Sequence, residues 1–229
     1  MKNTFLGSLL HLSDPTLPIG GYSHSNGLET YVQNGLVYNT VSAEIFIVQV
    51  LTSNLKFNDA SFMFLAYEAA RAGDLGSIIG LDQELTALKC AKEIRQASQK
   101  LGLRLMKVFS RHLTSDLTAG YQKAIDEKLN DGHYCLAFGL YAHLMKIPLE
   151  LALFAFYYNA AVGLVTNSVK LVPLGQLDGQ DILFNLQPTI KRLVGETIRL
   201  ERSLVGFCNM ALDIRCMQHE RLYSRLYMS

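Results

Sequence analysis

The chain has 229 residues, 21 basic and 20 acidic, with 49% hydrophobic and 18% charged residues, against roughly 25% charged in an ordinary soluble domain. A net charge of +1 with no basic stripe standing out along the sequence argues against a nucleic-acid surface. Four scattered cysteines, Cys90, Cys135, Cys208 and Cys216, argue against a disulfide framework and fit a reducing compartment. So much apolar surface must be hidden in a large helical core, a protein interface or a membrane.

Helical spacing recurs almost everywhere, and period-2 alternation is scarce. Leu6, Leu9 and Leu10 suggest a short helix, which Ser13 to Gly21 breaks with two prolines and two glycines. Ser23 or Ser25 is placed to cap a short helix through Leu28 and Val32. A helix is expected from Thr40 through Leu55, and another from an Asp59 N-cap to Ala72, before Gly73. Asp82 opens the longest pattern, with apolar residues at Leu85, Leu88, Ile94, Leu101, Leu105 and Val108. Tyr121, Ile125 and Leu129 mark a short amphipathic helix closed by Asn130-Asp131-Gly132.

A helix over 133–146 follows, and Pro148 suits the first position of the next. That segment, Ile147 to Val165, nearly reaches the ~20 residues a membrane span needs. It nevertheless carries Glu150 and Asn159, has its tyrosines mid-segment and is flanked by no cluster of Lys or Arg, so a buried helix is expected. Val172-Pro173-Leu174-Gly175 is a break. Asp178 to Leu186 reads as a helix, Pro188 as a restart, and Leu193 to Leu212 as a further helix. No repeat or low-complexity linker divides the chain. The expectation is all-α: a single domain over 1–229 of eight to ten helices, with a Pro/Gly segment over 1–30 and a distinct tail over 213–229. The N-terminus shows no signal-peptide pattern, so a cytoplasmic location is expected.

Sequence signatures of catalysis come up empty. Gly20-Gly21 is not followed by a Walker Gly-Lys-Ser/Thr, and no Gly-x-Ser-x-Gly elbow occurs. Glu29, just after the Pro/Gly loop, reads equally as a helix-end charge or a functional carboxylate. Cys216 and His219, at i and i+3, could share a helix face as metal ligands, with a second chain completing the set. A buried thiol beside a surface imidazole is the favoured reading. No tightly bound cofactor is expected.

Three segments together carry a resemblance. The first is Asp14-Pro15-x-Leu17-Pro18-Ile19-Gly20-Gly21-Tyr22-Ser23-x-Ser25-x-Gly27-Leu28-Glu29. The second joins His133-x-x-Leu136-Ala137-Phe138-Gly139 to Val169-Lys170-Leu171-Val172-Pro173-Leu174-Gly175-Gln176-x-x-Gly179-Gln180. The third is Asp213-Ile214-x-x-Met217-x-His219-Glu220-x-Leu222-Tyr223-Ser224-Arg225-Leu226-Tyr227-Met228-Ser229. In this order and spacing, with a weaker match at Arg95-x-x-Ser98-x-x-x-Gly102-x-Arg104, the chain resembles the UreF family of urease accessory proteins.

The resemblance implies a cytoplasmic, all-α homodimer with no turnover of its own. Such a protein joins UreD (also called UreH), recruits the GTPase UreG and promotes GTP-dependent delivery of nickel into apo-urease. Nickel is then handled by the complex. The alternative is a metallochaperone binding nickel itself through Cys216 and His219 across a dimer. Neither a nucleic acid nor a membrane is an implied partner.

Partner-binding candidates follow from residue chemistry. Tyr22 combines a rigid ring with a polar tip, and interface and structural roles stand near parity for its loop. Glu29 follows that loop, and Gln176 offers a polar contact beside the Pro173 break. Arg221, Tyr223, Arg225 and Tyr227 alternate cations and aromatics at the extreme terminus, where hot-spot residue types are unexpected as core. That tail is expected to order on a partner protein and help grip it. Ser98 and Gly102, at i and i+4, are read as a small pair that permits close packing.

Overall fold

A computed structural model describes residues 4–229. The α-helices are α1 (Leu6–Leu12), α2 (Leu28–Gln33), α3 (Thr40–Val50), α4 (Ser61–Ala72), α5 (Leu75–Leu88), α6 (Lys92–Phe109), α7 (Asp116–Asp126), α8 (Tyr134–Leu144), α9 (Leu149–Leu171), α10 (Gln176–Ile198) and α11 (Met210–His219). No strand occurs among the described residues, and the all-α expectation holds. A π-helical run, Leu51–Ala60, joins α3 to α4 without a break, so the eleven α-helices make ten separate rods.

The core is centred on α8, where every residue from Cys135 to Ala142 is buried. A helix apolar on all sides must be enclosed, and α8 lies against α4 on one flank and α6 on another, while α9 packs on α10. By length and composition α9, alone among the described residues, could cross a membrane. Instead it buries Leu153, Phe156, Tyr157, Leu164 and Val165 among its neighbours, with the Tyr157 hydroxyl 2.7 Å from that of Thr197 on α10.

Four local expectations are corrected. Asp59 is no N-cap: it sits inside the π-helical run, and its carboxylate pairs with Lys89 Nζ at 2.9 Å. Asp82 does not open a helix but lies fully buried within α5, which Asp74 caps by accepting the Ser77 N–H at 2.9 Å. Gly76 and Gly80 mask that earlier start in the sequence, because glycine weakens a helical pattern. Pro188 does not restart the chain. It is exposed within α10, so the carbonyl it leaves unpaired faces solvent, and burial of Ile182, Leu186, Ile190 and Leu193 on the opposite face outweighs a proline penalty of about 3 kcal/mol. The expected helix from Leu193 to Leu212 is two pieces: α10 ends at Ile198, and Asn209 caps α11 by accepting the Leu212 N–H at 3.2 Å.

Candidate functional site

The proline-rich segment is an ordered loop. Asp14 Oδ1 accepts the Thr16 N–H and hydroxyl, both at 2.7 Å, and Arg104 of α6 donates to the Ile19 carbonyl at 3.0 Å. Neither Ser23 nor Ser25 holds the N-cap position of α2, although the Ser25 hydroxyl accepts the Glu29 N–H at 3.5 Å. Gly27 stands at its N-terminus at φ +85°, and a Cβ there would lie 2.8 Å from Cys216 Sγ. Only glycine allows both that backbone conformation and so close an approach of α11.

That approach places Glu29, 2% exposed, under the C-terminal tail. Its Oε1 accepts the Leu226 N–H at 2.7 Å, and its Oε2 the Tyr227 N–H at 3.2 Å and His219 Nε2 at 3.0 Å. The other ring nitrogen, Nδ1, is 2.7 Å from Glu93 Oε2. Each ring nitrogen of His219 thus faces a carboxylate oxygen. Glu93, on α6, also receives Arg225 Nη1 at 2.7 Å.

The last residues are held equally firmly. Ser229 O accepts the Ser25 N–H at 2.5 Å and the Ser25 hydroxyl at 2.7 Å, its own hydroxyl is 2.8 Å from His24 Nδ1, and Met228 N–H donates to Ser23 O at 2.9 Å. Asn167 of α9 fixes the His24 carbonyl at 2.8 Å. Burial first, then the charges of Lys100 and Arg104, hold His24 below the ordinary imidazole range.

This clasp sorts the sequence candidates. Glu29 and Tyr227 do not face outward: both are buried, and they anchor the tail. Tyr223 is fully exposed, Leu226 is 78% and Tyr22 76% exposed, and Met228 is also exposed. Arg221 is exposed, and Arg225 combines exposure with its Glu93 ion pair. Gln176 is exposed at the start of α10 and takes no part in the clasp. Cys216 and His219 are both buried. Burial pushes the Cys216 thiol up to about 12, and His219 spends both nitrogens on carboxylates, so the expected surface imidazole is instead an internal bridge. Neither donor reaches a surface where a second chain could share an ion.

A second buried network was not legible in the sequence. Asp82 accepts the N–H groups of Asp131, Gly132 and His133 at 2.8, 3.0 and 3.2 Å, and the Tyr121 hydroxyl. Thr86 donates to Asp131 Oδ2 at 2.6 Å. Its single proton is then spent, so His133 Nε2, 2.9 Å away, must donate to it, leaving Nδ1 to accept from Ser98 at 3.0 Å. The three side chains Asp82, Asp131 and His133 are close enough to hold a cation, but these hydrogen bonds already account for them. Burial drives His133 down to about 4. Gly102 sits over the same loop, where a Cβ would collide with the Gly132 carbonyl, so the close approach there is by the 132–134 backbone leading into α8, while Ser98 bonds His133.

The statement that no basic stripe stands out also needs correction. Lys100, Arg104, Lys107 and Arg111 are separated in sequence by mostly apolar residues, but α6 and the turn after it bring them into one exposed row. A cavity of about 310 Å³ lies behind the N-terminal loop, lined by residues that include Leu17, Asn54, Asp59, Lys89, Phe156 and Asn167. The π-helical run contributes one of its walls.

These features define an all-helical protein whose clearest built device is a clasp that displays a C-terminal tail. The profile of the family described as UreF matches residues 37–187. A urease accessory protein UreF from Actinobacillus pleuropneumoniae serotype 3 (strain JL03) is 49% identical over 98% of this chain and 99% of its own length. One from Haemophilus influenzae (strain PittGG) is 47% identical over 99% and 96%. One from Bacillus sp. (strain TB-90) is 34% identical over 97% and 98%. The chain belongs to the UreF family of urease accessory proteins.

Proposed function

We propose that the chain is a non-catalytic cytoplasmic scaffold for urease maturation. As a homodimer it joins UreD (UreH), and the pair recruits the GTPase UreG and promotes GTP-dependent delivery of nickel to apo-urease. Nickel is cargo of the assembly, and this chain holds no tightly bound cofactor. The observation that carries this reading is the clasp. Glu29 fixes the tail backbone while Tyr223, Leu226 and Met228 project outward, and Tyr22 adjoins Ser23, the residue paired with Met228. Preorganised aromatic and apolar anchors are what a protein interface uses. Further exposed apolar residues, Tyr38 just before α3, Val41 and Ile45 on it, and Leu177 and Phe184 on α10, support more than one protein contact per chain.

Co-expression with UreD (UreH) and UreG, followed by light scattering, tests the reading. The expected product contains two copies of each protein. A well-folded chain that ignores both partners overturns it.

A further inference from the structure

Between Ile94 and Ser115 the chain has no acidic residue and five Lys or Arg: Arg95, Lys100, Arg104, Lys107 and Arg111. In a chain of net charge +1 this is a strong local segregation. Four of the five recur at i, i+4, i+7 and i+11. The three within α6, Lys100, Arg104 and Lys107, fall by helical geometry within about 60° of the circumference along about 10 Å, and Arg111 follows in the turn after the helix. All four are exposed, and among the described residues none makes an ion pair. By contrast Lys56, Arg71, Lys89, Arg192, Arg202 and Arg225 each meet a carboxylate.

Complementing the helix dipole accounts for cations in the last turn only. That covers Lys107, whereas Lys100 and Arg104 lie further back in the 18-residue helix and Arg111 lies beyond its end. Leu103, 39% exposed, flanks the row at i+3 and gives it an apolar edge. Phe109, the aromatic residue of α6, is buried, so the row offers no ring on which a base could stack. A row one residue wide, with an apolar residue along its edge, matches a helix better than a phosphate backbone.

We propose that this face of α6 docks an acidic helix of a partner protein, its carboxylates set at the same i, i+4, i+7, i+11 spacing. Opposite charges at that repeat pair along the whole contact. The site adjoins the clasp, because Arg104 also holds the Ile19 carbonyl and Glu93 of the same helix holds His219.

The test uses the full chain and a fluorescent, alanine-rich helical peptide carrying glutamates at those four positions, read by anisotropy. Saturable binding is expected, weakening at least about tenfold between low and high salt. The K100E/K107E chain should lose at least about tenfold and regain binding to a peptide with lysines in place of the glutamates. The milder K100Q/K107Q chain should fall between. A wild-type chain that ignores the acidic peptide, or a K100E/K107E chain that binds it equally well, overturns the proposal. So does a short RNA duplex that binds more tightly than the peptide and depends on the same two lysines. Arg104 is left unchanged, so the N-terminal loop keeps its anchor.

Discussion

Glu29 and His219 lie 190 residues apart in sequence and meet at 3.0 Å, with the ring fully buried between Glu29 and Glu93. The clasp therefore joins the end of the chain to its beginning through a carboxylate that also carries two backbone N–H groups of the tail.

Replacing Glu29 by glutamine substitutes an N–H donor for one of the acceptor oxygens and confronts it with a donor. The expected cost is about 2–4 kcal/mol. Amide exchange should rise selectively over 221–229, with a lower Tm. Unchanged protection of the Leu226 and Tyr227 amides would show that Glu29 does not hold the tail.

Removing Arg221 to Ser229 takes away that backbone and the Arg225 ion pair but leaves α1 to α11 intact. Far-UV circular dichroism should stay close to the full chain, whereas co-purification with UreD (UreH) and UreG should be lost. Collapse of the helical signal would make the tail part of the core.

Gly27→Ala places a methyl group against Cys216 at φ +85°. A loss of about 1–3 kcal/mol is expected from strain and overpacking together. Adding Cys216→Ala should recover the steric part and leave the backbone part, so chemical denaturation of the single and double variants should show partial rescue. Full rescue would mean that φ at Gly27 carries no strain.

His133 is held neutral at about 4 in the folded chain, against about 6.5 when unfolded. Between those values the unfolded chain binds the extra proton, so stability rises with pH there. Its contribution is complete above about 6.5 and is lost as pH falls through about 4. His24, also shifted downward, adds to the same trend. Denaturant unfolding between pH 7 and pH 4.5 should reveal the slope, and His133→Gln should flatten it. An equal slope in that variant would assign the acid sensitivity elsewhere.

Charge periodicity on α6 was written in the sequence but masked there, since Lys100, Arg104, Lys107 and Arg111 are diluted by apolar neighbours until a helix aligns them. Glu29 could be flagged by its place after the Pro/Gly loop, and the tail by its tyrosines and arginines. What joins them could not be read, because no local pattern distinguishes a carboxylate that will face solvent from one that will lie under a chain end. Asp82 failed for the same reason: a lone carboxylate before an apolar run reads as a helix start until the 131–133 backbone is seen folded onto it.

By itself, the sequence determined what depends on near neighbours and on period: the all-α class, the apolar α8 and α9, the breaks near Gly73, Asn130 and Pro173, and the family motifs. Tertiary structure decided what depends on long-range approach. It carried α10 through Pro188, buried His219 between Glu29 and Glu93, turned Tyr227 inward and left Tyr223 outward. Helix formation is governed by interactions three and four residues apart, whereas the clasp is formed between segments almost the full chain apart and forms only once α2, α6, α9 and α11 have been packed around it.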